Sequence, residues 1–128
     1  MTGKKRVLVV DDEPKILRLF ALNLQMAGYE VVTSGNGEEA LRLVETDVPD
    51  VVLLDIVMSP LSGFDVMKRL RSFSRVPVIV VTARNFIEEE ALKIDADAFL
   101  AKPFRSEELI AVVKEVLAKK NSGGAEPA

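Results

Sequence analysis

Five side chains carry the chemistry open to this sequence. They are Asp11 and Asp12 in VLVVDDEPK, Asp55 at the end of VVLLD, Thr82 at the end of VIVVT, and Lys102 at the end of AFLAK. Three are carboxylates, one is a hydroxyl and one is an ammonium. Adjacent carboxylates repel, and a turn needs only one acid or none for solubility, so the Asp11-Asp12 pair calls for a counter-charge. The chain contains no Cys and no His. That excludes disulfides, zinc centres, thiolate nucleophiles and imidazole acid/base catalysis together. Hard oxygen ligands without nitrogen or sulfur select Mg²⁺, with Mn²⁺ as the alternative, over zinc. Mg²⁺ takes few protein carboxylates and keeps several waters, which leaves room for a phosphate oxygen. Lys102 supplies a compact positive charge for the same anion, and Thr82 supplies a hydroxyl donor. Such a set suits phosphoryl transfer, in which positioning and charge neutralisation provide most of the rate.

Each residue also has an ordinary structural use. A strand-end Asp such as Asp12 is often a helix cap, a Thr is often a turn hydroxyl, and a Lys is usually a solvated charge. The argument for chemistry is coincidence, since the acids, the hydroxyl and the lysine close four different apolar runs.

Those runs define the elements that must position the site. VLVV (7–10), VVLL (51–54) and VIVV (78–81) are apolar without alternation, the pattern of strands buried on both faces of a parallel sheet. YEVVT (29–33) and AFLA (98–101) are weaker runs of the same kind. Between them the period becomes helical. Pro14 suits a first turn, Ile16, Leu19, Phe20 and Leu24 share a face, and Gly28 follows where a C-terminal cap belongs. Ala40, Leu41 and Val44 form a second stripe behind Glu38 and Glu39, which favour the helix dipole. Val66, Met67 and Leu70 form a third stripe, and Ile87, Ala91 and Ile94 a shorter fourth. Ser106 is placed to cap a last helix with Leu109, Val112, Val113 and Val116 as its apolar side.

This is a β-α unit repeated five times, which predicts a single α/β domain with a parallel five-stranded sheet and right-handed crossovers. Residues 1–120 form that domain, and NSGGAEPA (121–128) has the composition of a flexible tail or the start of a linker. At 128 residues, with 48% hydrophobic and 29% charged residues, one core is affordable and disorder is excluded. A net charge of −3 gives no support to bulk binding of nucleic acid or anionic membranes. No apolar run is long enough to span a bilayer, and the first ends at Asp11, too short for a signal-peptide core, so the reading is a cytoplasmic protein. In open α/β sheets ligands bind beyond the carboxyl ends of the strands, so the five polar residues are expected on one rim.

Four motifs in order, VVDDEP (9–14), LLDIVM (53–58) followed by Gly63, VTA (81–83) and AKPF (101–104), resemble the receiver domain of two-component response regulators over roughly residues 5–119. The resemblance implies a flavodoxin-like doubly wound fold with strand order 2-1-3-4-5. It also implies that Asp55 accepts a phosphoryl group from a phosphohistidine on a histidine kinase or histidine phosphotransfer protein. Asp11 and Asp12 would hold Mg²⁺ together with the Asp55 carboxylate and the Val57 backbone carbonyl. Lys102 and Thr82 would engage the phosphoryl oxygens. Phe99 stands at the family's switch aromatic, the alternative for it being an ordinary core ring. By the same resemblance the domain is no enzyme in the usual sense, but catalyses its own phosphorylation and dephosphorylation. Its output passes to a downstream effector through the helix before strand five, strand five and the last helix, in some cases with phosphorylation-dependent dimerisation. Val57 and Arg84 flank the expected path of attacking water, and the apolar Val57 implies a long-lived phosphoryl state.

The sequence departs from the family in three places. Ser59 stands where Pro is usual and Pro60 follows it, the span from Thr82 to Lys102 is short, and Asp95-Ala96 replaces the usual Gly-Ala. Rival readings fare worse. A haloacid-dehalogenase-type phosphotransferase needs an acid two residues after its nucleophile, where this chain has Val57. A flavodoxin-like mononucleotide binder needs a phosphate-cradling first loop, and DDEPK repels phosphate. A pseudo-receiver that only binds partners would be expected to lack one of the acid, hydroxyl and lysine positions.

Overall fold

The computed structural model describes residues 3–83 and 95–125, with side chains described as far as residue 119. The described elements are β1 (Arg6–Val10), α1 (Pro14–Met26), β2 (Glu30–Ser34), α2 (Gly37–Asp47), β3 (Val51–Asp55), α3 (Gly63–Arg71), β4 (Val78–Ala83), β5 (Ala98–Lys102) and a last helix, here α4 (Ser106–Ala125). The stripe Ile87, Ala91 and Ile94, and with it Arg84, lies outside the described residues.

All five strands pair in parallel in the order β2-β1-β3-β4-β5, as expected from the sequence. The absence of polar alternation now has its physical reason. Leu8, Val10, Val52, Leu54, Val78 and Val80 face α2 and α3, where Ala40, Val44, Val66, Met67 and Leu70 complete one apolar layer. The alternate residues Val7, Val9, Val51, Leu53, Ile79 and Val81 face α1 and α4, meeting Phe20, Leu24, Leu109 and Val113 in a second layer. The chain switches direction across the sheet between β1 and β3, so a crevice opens beyond their carboxyl ends.

Helix ends follow local chemistry, with two differences from the sequence reading. Gly28 (φ 98°) ends α1 as expected: its N–H donates to the Gln25 carbonyl and the Tyr29 N–H to the Leu24 carbonyl, closing a Schellman motif. Ser106 does not cap α4. It is the first residue of that helix, and its hydroxyl donates to Asn23 Oδ1 at 2.9 Å instead. The turn is secured by Glu108, whose carboxylate accepts the Arg105 N–H at 2.8 Å. The helix also continues to Ala125, into the segment whose composition suggested a tail. Asn36, unremarked in the sequence, caps α2 by accepting the Glu39 N–H, and Ser62 and Asp65 form a capping box on α3.

Candidate functional site: an acidic rim with one lysine

Strand register brings the rim together. Val10 pairs with Leu54, Asp55 with Val81, Thr82 with Ala101 and Ala83 with Lys102. The residues that end these strands therefore emerge side by side.

Asp11 is buried, with its backbone N–H bonded to the Ser34 carbonyl at 3.1 Å. Its Oδ1 accepts the Glu13 N–H at 2.9 Å, an Asx turn that directs Oδ2 elsewhere. Asp12 is exposed and is not a helix cap, since the N-cap of α1 is Glu13 and carries no side-chain cap bond. Asp55 is buried, and the Val57 N–H donates to its Oδ1 at 3.1 Å while Lys102 Nζ donates to its Oδ2 at 3.3 Å. Lys102 Nζ also stands 3.5 Å from Asp11 Oδ2. One ligand oxygen from each of Asp11, Asp12 and Asp55 lies within 4.8 Å of the others. Burial, and then the negative charge of Asp11, push the Asp55 carboxyl above the ordinary carboxylate range, while the Lys102 charge and the Val57 N–H pull the other way.

Two buried oxygens have no hydrogen-bond partner among the described residues, Asp11 Oδ2 and Thr82 Oγ1. A buried polar atom without a partner costs about 1–3 kcal/mol, so such atoms are kept where something else engages them. Three carboxylates against one ammonium, all hard oxygen donors, and an orphaned oxygen among them fit a hard divalent cation.

Val57 meets the site through its backbone, and the residue is 73% exposed. Phe99 is 41% exposed on β5 and is not a core aromatic here. Gly63 has a steric reason. A Cβ there would lie 2.5 Å from the Asp55 carbonyl oxygen and 2.5 Å from Ile56 Cα, while the Gly63 N–H donates to the Ile56 carbonyl at 2.8 Å. Only glycine lets α3 start against the backbone that carries Asp55. The Ser59–Pro60 and Lys102–Pro103 peptide bonds are cis. Sequence reasoning missed Ser34, which is buried with its hydroxyl 2.8 Å from Glu39 Oε1 and whose carbonyl fixes Asp11. It also missed Phe104, whose ring stacks on Phe20. A hydroxyl at the end of an edge strand was the available signal for Ser34; nothing local marked the Phe20–Phe104 pairing.

Comparison with known proteins agrees with this geometry. The response regulator receiver domain matches residues 7–114. A probable transcriptional regulator ycf27 of Guillardia theta is 42% identical over 120 residues, covering 92% of this chain and 47% of that protein. The alkaline phosphatase synthesis transcriptional regulatory protein PhoP of Bacillus subtilis is 40% identical over 116 residues, covering 88% and 48%. The chain thus spans about half the length of these curated relatives. The chemotaxis response regulator CheY4 of Vibrio cholerae superposes with a TM-score of 0.83 at 32% identity, over 89% of this chain and 99% of that one. The Francisella response regulator 1452 receiver domain gives 0.84 at 33% identity, over 91% and 99%. Strand order, rim and sequence lead to one assignment, and the chain belongs to the response regulator receiver domain family of two-component systems.

Proposed function

We propose that Asp55 is the phosphoacceptor of this receiver domain and that the rim catalyses the transfer. An Asp55 carboxylate oxygen attacks the phosphorus of a phosphohistidine on a histidine kinase or histidine phosphotransfer protein. The new O–P bond forms as the P–N bond breaks, and the imidazole nitrogen leaves with the electron pair and takes up a proton from solvent. The Val57 N–H fixes the orientation of the attacking carboxylate. Asp11, Asp12, Asp55 and the Val57 carbonyl would hold Mg²⁺, which neutralises charge on the phosphoryl oxygens when bound. Lys102 is already paired with Asp55 and moves its charge to a phosphoryl oxygen as the acid becomes an acyl phosphate. The Thr82 hydroxyl, without a hydrogen-bond partner among the described residues, donates to another.

That donation draws Thr82 inward, and Phe99 turns from its half-exposed position to fill the space behind it. The surface of β5, α4 and the segment before β5 then changes for a downstream partner, with a phosphorylation-dependent dimer as one outcome. This chain itself makes no nucleic-acid contact.

The observation that carries the reading is the Asp55 carboxylate, buried 3.3 Å from Lys102 Nζ and inside the acid cluster. The test is incubation with acetyl phosphate and Mg²⁺, followed by intact-mass measurement of the wild type and Asp55→Asn. The wild type should gain one phosphoryl group and Asp55→Asn none. Equal labelling of both proteins sinks the assignment. Lys102→Ala should accept the group and lose the change at Phe99, read by NMR with beryllofluoride.

A further inference from the structure

Ser34 is the last residue of β2, an outer strand of the sheet. It pairs with Val10, and its carbonyl accepts the N–H of the next residue, Asp11, at 3.1 Å. Ser34 is polar and yet buried. Its hydroxyl lies 2.9 Å from the Asn36 carbonyl and 2.8 Å from Glu39 Oε1, one proton serving two acceptors at the start of α2. Glu39 is itself held at its backbone, where its N–H donates to Asn36 Oδ1 at 2.8 Å. A run of hydrogen bonds therefore leads from the acid loop through Ser34 to a helix. On its other side Asp11 is held by the Glu13 N–H, 2.9 Å from Oδ1, and Oδ2 stands 3.5 Å from Lys102 Nζ.

Resting on the metal site of the phosphoacceptor reading above, we infer that Ser34 and Glu39 are positioning residues for Asp11 and set how tightly the rim holds Mg²⁺. An aspartate carboxylate hangs on two rotatable bonds, so its place depends on the backbone that bears it. For Asp11 that backbone is braced by the end of a strand paired with β1 alone among the described strands, and Gly35 follows at once. The Ser34 hydroxyl ties this end to α2. Mg²⁺ demands near-ideal octahedral geometry, so a ligand oxygen that wanders binds it less well. Neither Ser34 nor Glu39 belongs to the acid cluster, so their effect passes through Asp11.

Calorimetry reads Mg²⁺ affinity without any phosphoryl donor. Ser34→Ala should weaken it about tenfold, the lower end of the loss when a group behind a metal ligand is removed. Glu39→Ala should weaken it in the same direction, and Glu39→Gln, which keeps an acceptor oxygen, should restore it to within about twofold. If Ser34→Ala does not fold, the two Glu39 variants carry the comparison. In EDTA the Asp11 amide of Ser34→Ala should exchange with solvent about tenfold faster, while the amides of β4 keep their wild-type rates. Labelling by acetyl phosphate should need about tenfold more Mg²⁺ to reach half its limiting rate, with the limiting rate itself within about twofold of wild type. Wild-type Mg²⁺ affinity in Ser34→Ala and Glu39→Ala overturns the inference. So does Glu39→Gln binding as weakly as Glu39→Ala, or a limiting rate that falls in step with affinity. Labelling of Asp55→Asn instead overturns the phosphoacceptor reading, and the donor-free affinities are judged apart from it.

Discussion

The two ends of the sheet hold charged residues in opposite ways. At the amino ends of the strands every described charge cluster closes on itself. Arg6 bonds Glu30 and the Asp47 carbonyl, and its own N–H is taken by Asp50 at 2.7 Å. Arg71, with its side chain 13% exposed, donates to the carbonyls of Val76 and Asp95 and to Asp97. Asp97 in turn accepts the first N–H of β4 at 2.7 Å. At the carboxyl ends, three carboxylates cluster around one lysine that reaches Asp11 and Asp55, and two buried oxygens lack hydrogen-bond partners among the described residues. Satisfied polar networks hold register and gain nothing from a ligand. The other rim keeps a local excess of negative charge that only an added cation, and then an added phosphoryl group, can put to use.

The contrast can be broken at both ends. The largest stability loss is expected from Gly63→Ala, which sets a methyl against the backbone of Asp55 and Ile56. Overpacking costs about 1–3 kcal/mol, and backbone cannot rotate away, so about 3 kcal/mol is expected from urea unfolding. A change below about 1 kcal/mol would mean that the reactive rim has slack and its crowding is not enforced by α3. Next comes Arg71→Leu at the satisfied rim. It strips donors from the carbonyls of Ser74, Val76 and Asp95 and from Asp97, and should cost about 2 kcal/mol while leaving the rate of labelling by acetyl phosphate within about twofold. Slowed labelling in that variant would show that the two ends are coupled.

Much of this division was legible in the sequence, because strand ends in a parallel sheet are readable from apolar runs. Asp55 and Thr82 close runs buried on both faces, so their rim followed from position alone. Even the weaker edge runs leading to β2 and β5 were found, since the α/β alternation demanded strands there. Residues whose partners are distant were not legible. Ser106 was read as a cap because its true partner, Asn23, lies 83 positions away. The Arg71–Asp97 contact spans 26 positions and has no local signature. Gly63 could be named from its motif, but the reason for it, a helix start pressed onto the Asp55 carbonyl, exists only in three dimensions.

The smaller effects concern charge, and they set the sign of the contrast. Mg²⁺ at ten times its dissociation constant should stabilise the wild type by about 1.4 kcal/mol, and Arg71→Leu by the same increment, since its network offers no cation site. Asp55→Asn should respond less, having lost one of the clustered ligand oxygens. Without metal the order reverses. Burial and the charge of Asp11 hold the folded Asp55 carboxyl above its unfolded value, so between those values the folded state binds the proton more readily. Ionised Asp55 therefore weakens the fold as pH rises through the folded value, and the penalty disappears in acid. Asn keeps the shape and removes the charge, so in EDTA at neutral pH Asp55→Asn should be more stable than wild type by about 1 kcal/mol, the gap closing as the medium is acidified. Shifted urea midpoints at constant slope would measure it. A less stable Asp55→Asn in EDTA would mean that attraction to Lys102 outweighs burial, and that the acidic rim is as self-sufficient as the one opposite.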